Sequence, residues 1–192
     1  MNYLAHLHIA QHCQSSLIGN LLGDFVKGNP ESQFSQPIAQ GVRLHRFVDS
    51  YTDSHHTVKQ AKQLFPNGLR RFSGIALDMF WDHCLANRWS EYHDESLDQF
   101  CTHSLMQVMS EEMRDVLPDR FVTVTHAMNE GRWLQSYQHI ENIEFALQRM
   151  SHRSPRMVAL VDCIPYLRQN YHQLDELFAQ LYPQILTASK SF

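Results

Sequence analysis

Asp78 and Asp82 stand four residues apart in the run Ile75-Ala-Leu-Asp-Met-Phe-Trp-Asp-His-Cys-Leu85, which is otherwise almost wholly apolar. At about 100° per residue on a helix the two carboxylates lie one turn apart on one face, where Ile75, Trp81, Leu85 and Trp89 flank or share it. Withdrawing an ionised carboxylate from water normally requires a charge partner, full hydrogen bonding or a metal ion. Two readings stand side by side: a divalent-cation site, or a structural network in which Arg70, Arg71 or another arginine pairs with the acids.

A second group lies upstream. Leu44, Phe47, Val48 and Tyr51 form an apolar helical stripe, while His45, Asp49 and Asp53 gather on the opposite side with Arg46 beside them. A solvated outer face is the usual fate of such a stripe, yet His and Asp are ligands that suit a divalent cation, where an indifferent surface more often carries Glu and Lys. Asp24 is another acid in an apolar run, between Leu21, Leu22, Phe25 and Val26, and is read as a ligand or as a partly exposed residue near a helix end. His6, between Ala5 and Leu7, is a ligand candidate or a residue that caps or lines the core. His93-Asp94 sits in Ser-Glu-Tyr-His-Asp-Glu-Ser and is expected to be a solvated turn, as is His55-His56. The methionines from Met106 to Met113 read as core filler.

The elements that must position these groups are helical. The periodicity is that of helices nearly throughout, with no alternation of strand length, so the chain is expected to be all-α, a single-domain multi-helix bundle over residues 1–192. Helices are expected over Tyr3–Gln11, from a Ser15 or Ser16 cap to near Gly28, Pro37–Thr52, Ser54–Phe65 and Arg70–Asn87. Further helices are expected over Glu95–Leu117, Phe121–Glu130, Trp133–Met150, Arg156–Val161 and Pro165–Leu186. The polar tail from Thr187 is expected to fray.

Composition removes several functions. No segment has the uninterrupted apolar length of a membrane span, and the start Met-Asn-Tyr-Leu-Ala-His-Leu-His lacks the features of a signal peptide, so a cytoplasmic protein without membrane attachment is expected. Cys13, Cys84, Cys101 and Cys163 are widely spaced with no CxxC, against a zinc ribbon or a thioredoxin-type site, and read as reduced core thiols. A net charge of −4 with scattered basic residues gives no footprint for nucleic-acid binding. Thirteen histidines against sixteen Lys plus Arg is the compositional oddity, in favour of a side chain that ligates metals and titrates near neutrality. With no GxGxxG, P-loop or GxSxG, metal-assisted hydrolysis is what remains: Asp and His side chains holding divalent ions that activate water and polarise a phosphoryl oxygen.

Four ordered blocks then carry a resemblance. Met-Asn-Tyr-Leu-Ala-His6-Leu-His, Ser-Leu-Ile-Gly-Asn-Leu-Leu-Gly-Asp24-Phe-Val-Lys27-Gly, Leu-His45-Arg46-Phe-Val-Asp49-Ser-Tyr-Thr-Asp53 and Leu-Asp78-Met-Phe-Trp-Asp82-His83 together resemble the acyl carrier protein phosphodiesterase family. The resemblance implies an atypical, HD-phosphohydrolase-like helical enzyme. It would use a divalent cation, typically manganese with magnesium or iron as alternatives, to hydrolyse 4′-phosphopantetheine from the serine of holo acyl carrier protein. The sequence departs from the HD pattern in that its apolar-helix pair is reversed, Asp82-His83. The matching blocks imply Asp24, His45, Asp49, Asp78, Asp82 and His6 as metal ligands and Asp24, Asp82, His83 and Arg46 as catalytic. His83 points about 100° from Asp82 and suits a residue that orients a ligand. Lys27 and Arg46 are candidates for phosphate contact, and Arg43, Arg70 and Arg71 for steering an acidic carrier protein. The alternatives are an HD-type phosphohydrolase of nucleotides or other small phosphate esters, and a helical carrier-binding adaptor without activity.

Overall fold

The computed structural model of the chain describes residues 1–109 and 117–192. Among these residues there is no strand, and the helices are α1 (Tyr3–His12), α2 (Leu17–Leu22), α3 (Gln36–Ser54), α4 (His56–Gln63), α5 (Arg70–Asn87) and α6 (Trp89–Tyr92). They continue with α7 (Leu97–Val108), α8 (Asp119–Glu130), α9 (Trp133–Ser136), α10 (Ile140–Ser151), α11 (Ile164–Gln169) and α12 (Tyr171–Lys190). Tighter 3-10 turns cover Pro30–Ser32, Asn67–Leu69 and Pro155–Cys163. The all-α expectation holds, and no helix among the described residues is long and apolar enough to cross a membrane.

Local chemistry explains most starts and stops. The Ser16 hydroxyl accepts from Gly19 N–H at 3.0 Å and opens α2. That helix ends at Leu22 rather than near Gly28, and Gly28 turns the chain at φ 78°, a left-handed conformation that suits glycine. Ser96 and Gln99 form a reciprocal capping box that starts α7 two residues after the expected Glu95. The remainder of that expected helix, with Met113, falls on residues 110–116, outside the described ones. The stretch expected as one helix from Trp133 is two, α9 and α10, and the one expected from Pro165 breaks at Asn170, while Pro183 is accommodated inside α12. The tail stays helical to Lys190.

α5 runs through the core. Phe80, Trp81, Cys84 and Leu85 are fully buried, and the helix packs against α1, α4, α10, α12 and the Pro155–Cys163 turn. Cys84, Cys101 and Cys163 are buried, Cys13 is half-buried, and all four are free thiols. α2 and α3 meet backbone to backbone: a Cβ on Gly19 would lie 2.3 Å from Ile38 O, and one on Gly41 would lie 2.9 Å from Gly19 Cα. Only glycine at both positions permits that approach.

Candidate metal centre

Three elements converge at one point: α1 supplies His6, α3 supplies His45 and Asp49 one turn apart, and the turn after α2 supplies Asp24. The polar stripe of α3 is not a simple outer face, since His45 is buried while Asp49 keeps 40 % of its side chain exposed. The Asp49 carboxylate takes one imidazole on each oxygen, with His6 Nε2 3.1 Å from Oδ1 and His45 Nε2 3.1 Å from Oδ2. Asp24 Oδ1 lies 3.6 Å from the same His45 Nε2. The two imidazoles stack, with centroids 3.8 Å apart.

Gly23 makes the stack possible. A Cβ there would come within 2.2 Å of His45 Cγ and Cδ2, so the ring lies against bare backbone. The Nδ1 atoms of both histidines are buried without a partner. Such an atom costs about 1–3 kcal/mol, which a purely structural histidine has no reason to carry.

The electrostatics call for positive charge. Burial alone would lower the His45 pKa, but hydrogen bonds to Asp24 and Asp49 outweigh it and raise it to about 9. Burial, and then the charge of His45, depress His6 to about 4. Burial would raise Asp49 and Asp24, but the imidazoles beside them hold both below the usual carboxylate range. Two anionic carboxylates therefore surround one neutral imidazole and one that keeps its proton for want of another cation. His6, His45 and Asp49 each offer one donor atom, and the three lie within 4.8 Å of one another. This mixed nitrogen and oxygen set can hold a first-row divalent ion, and Asp24, 48 % exposed, adds a fourth donor on the open side.

Asp78 and Asp82 do share a face of α5, but that face meets the start of α1 rather than the histidine group. Asp82, fully buried, accepts from Leu4 N–H (2.8 Å) on Oδ2 and from Ala5 (3.1 Å) and Asn2 (3.3 Å) on Oδ1. Burial pushes its pKa up to about 7 against these hydrogen bonds and the nearby Met1 ammonium. Asp78 Oδ1 accepts from that ammonium at 2.6 Å, which lies 3.8 Å from Asp49. Burial raises Asp78 too, offset in part by the ammonium. Among the described residues no arginine is in ion-pair contact with either acid: Asp82 takes the freed N–H groups of a helix start and Asp78 the Met1 ammonium.

The other candidates lie elsewhere. His83 contacts Tyr137 O through Nδ1 (2.7 Å) and the Tyr171 hydroxyl through Nε2 (2.8 Å), on a side of α5 that Asp82 does not use. Arg46 donates to Gly28 O (2.8 Å) and Val26 O (2.9 Å), so its guanidinium fastens the turn after α2. Arg43 pairs with Glu31, and Arg71 lies 4.4 Å from the centroid of the Phe72 ring. Lys27 and Arg70 are exposed. Asp53 pairs with Lys62, and His93 stacks on Trp89 with its Nε2 2.6 Å from Gln11. The sequence reading missed Gly23 and the helix start. The dipeptide Gly23-Asp24 after Leu-Leu was the one visible signal for the first.

The family model described as acyl carrier protein phosphodiesterase matches residues 1–185. The chain is 42% identical over 192 residues to the acyl carrier protein phosphodiesterase of Pectobacterium atrosepticum, covering 100% of this chain and 98% of that protein. It is 40% identical over 190 residues to the one from Escherichia coli, covering 97% and 96%, and 39% identical over 192 residues to the one from Photorhabdus laumondii, covering 100% and 96%. No solved structure matches the chain.

Proposed function

Because the chain belongs to the acyl carrier protein phosphodiesterase family, we propose that it is a metal-dependent hydrolase that removes 4′-phosphopantetheine from the serine of holo acyl carrier protein. It acts as a single HD-like catalytic domain over residues 1–192. The observation that carries the metal dependence is the Asp49 carboxylate held between two stacked, buried imidazoles, with Asp24 on the open side. His6, His45, Asp49 and Asp24 would hold the ion, with manganese as the candidate and magnesium or iron as alternatives. When bound, the ion supplies Lewis-acid polarisation of the phosphoryl group and lowers the pKa of the attacking water.

In the reaction a water oxygen bonds to phosphorus and the bond from phosphorus to the serine oxygen breaks. The water gives up a proton and the serine oxygen gains one, releasing apo carrier protein and free 4′-phosphopantetheine. Asp24, half exposed on the open side and ionised at neutral pH, is suited to accept a hydrogen bond from the attacking water and orient it. Asp49 orients both imidazoles and so fixes where their nitrogens point. Asp82 serves at one remove: by holding the N–H groups of Leu4 and Ala5 it sets the start of α1 and with it His6. The four unpaired thiols support the cytoplasm as the place of action.

Incubating holo carrier protein with the purified chain and manganese tests the reading by intact-protein mass spectrometry. The expected outcome is a carrier protein lighter by the 4′-phosphopantetheinyl group. An unchanged mass with folded, manganese-loaded protein would sink the proposal.

A further inference from the structure

A cavity of about 450 Å³ opens at the start of α1, against α8 and α10, and takes no part in the roles assigned so far. Met79, Trp133, Phe145 and Met150 give it apolar walls, and Asn142, Arg149 and Arg153 bring amide and guanidinium donors to its lining. Two observations tie it to the site. Asn2 lines the cavity, its side-chain amide reaching Met79 Sδ at 3.0 Å and the Tyr137 hydroxyl at 3.4 Å, and the ammonium of the preceding residue, Met1, lies 3.8 Å from Asp49. Tyr3 lines the cavity too, and it begins α1 about one helical turn before His6.

Asn142 already gives one amide N–H to Ser136 O at 3.0 Å, which leaves the second N–H of its amide and the two guanidinium groups. Phe145 is 58% exposed, unusual for so large an apolar side chain at a pocket wall, and Arg149 lies over its ring at 5.9 Å. Among the described residues no carboxylate is in ion-pair contact with Arg149 or Arg153. Apolar walls with a few converging donors are the makeup of a small-molecule site. The donors here are rich in N–H and the lining holds no carboxylate, which suits a ligand that offers oxygen acceptors along an otherwise apolar chain.

We propose that this cavity receives the pantetheine arm of the substrate, its amide carbonyls accepting from Asn142, Arg149 and Arg153 and its gem-dimethyl group lying against Phe145 and Trp133. The identity of the arm rests on the phosphodiesterase reading. The arm lies on the Asn2 side of the phosphate and the carrier protein on the solvent side near Asp24. Binding energy from this remote part of the substrate then positions the phosphodiester for attack.

Pantetheine itself, uncharged and without phosphate, is the probe, titrated calorimetrically into the manganese-loaded full-length chain. Saturable binding with a dissociation constant on the order of 1 mM is expected. Ala146→Trp, which fills the cavity, and Phe145→Ser, which removes an exposed wall and leaves the core untouched, should each weaken it by about tenfold or more. No binding to the wild-type chain, or equal binding to the wild type and folded Phe145→Ser, overturns the assignment. Hydrolysis of holo carrier protein is followed in parallel, so the two ideas fail separately. Hydrolysis without pantetheine binding removes the cavity alone, whereas variant-sensitive binding without hydrolysis removes the reaction and leaves the cavity's occupant standing.

Discussion

The imidazoles of His6 and His45 lie face to face, 20° from parallel, with one carboxylate bridging their Nε2 atoms. Two imidazolium rings at 3.8 Å would repel, so the pair carries a single positive charge, on the ring that faces two acids. An ion that binds here takes over that positive charge. Asp49→Ala should therefore weaken manganese binding by at least ~100-fold, or about 2.7 kcal/mol, in isothermal titration, with holo carrier protein turnover falling at least as far. Wild-type affinity in that variant would remove the His6, His45 and Asp49 group as the metal site.

Gly23→Ala tests the same site without touching a ligand. Gly23 has ordinary helical backbone angles, so alanine brings no backbone strain, but its Cβ would collide with the His45 ring. We expect a folded protein by circular dichroism whose manganese affinity drops about tenfold or more as the imidazole is pushed aside. Unaltered affinity would mean that His45 can move without cost.

Asp82→Asn separates a helix cap from a ligand. Both Asp82 oxygens accept from backbone N–H groups, so an amide must turn an NH₂ toward another donor in a site closed to water. The expected loss is about 2–4 kcal/mol in denaturant unfolding. Manganese affinity measured well below the unfolding midpoint should change only a few-fold. A stable variant that no longer binds metal would return Asp82 to the ligand set.

His8 supplies a pH signature away from the metal centre. Its Nδ1 lies 2.7 Å from the Tyr182 hydroxyl and its Nε2 3.3 Å from Tyr92 O, a setting that a neutral tautomer satisfies by accepting from the phenol and donating to the carbonyl. Burial depresses its pKa from 6.5 to about 4. Below pH 6.5 the unfolded chain binds a proton that the folded one refuses, so this contribution is complete above 6.5 and declines as pH falls toward 4, by about 3 kcal/mol in all. Unfolding free energies at pH 7.5 and 4.5 should differ by roughly 2–3 kcal/mol less in His8→Gln than in the wild type. Equal differences in the two proteins would show that His8 does not titrate in this way.

What the sequence disclosed follows from the range of each interaction. The helix period gave α3 with His45 and Asp49 one turn apart, and it separated His83 from Asp82, because both are local facts of 3.6 residues per turn. The partners of Asp82 lie 77 to 80 residues away, and no pattern within α5 reports them. Two acids on one largely apolar face spoke equally for a cation and for any other source of positive potential, which here is the start of α1. The hydrogen bonds of Arg46 were illegible for a related reason: the carbonyls it holds are exposed by a turn whose course depends on Gly28 and on α2 stopping at Leu22. His6, one candidate among several in the sequence, is central because α1 happens to cross α3.

The contact between Gly19 and Gly41 has a consequence for any survey of variants. Gly19 lies one helical turn before Gly23 and Gly41 one turn before His45, and neither carries a group that can react. A methyl group at either would wedge α2 away from α3 and carry Asp24 off from His45 and Asp49. In a saturation scan scored by catalytic output, both positions should therefore rank with the ligands themselves, drawing a band of intolerance that runs from the chemistry back along the helix crossing. Ranking residues by such scores alone would enlarge the apparent active centre to include its hinge of bare backbone.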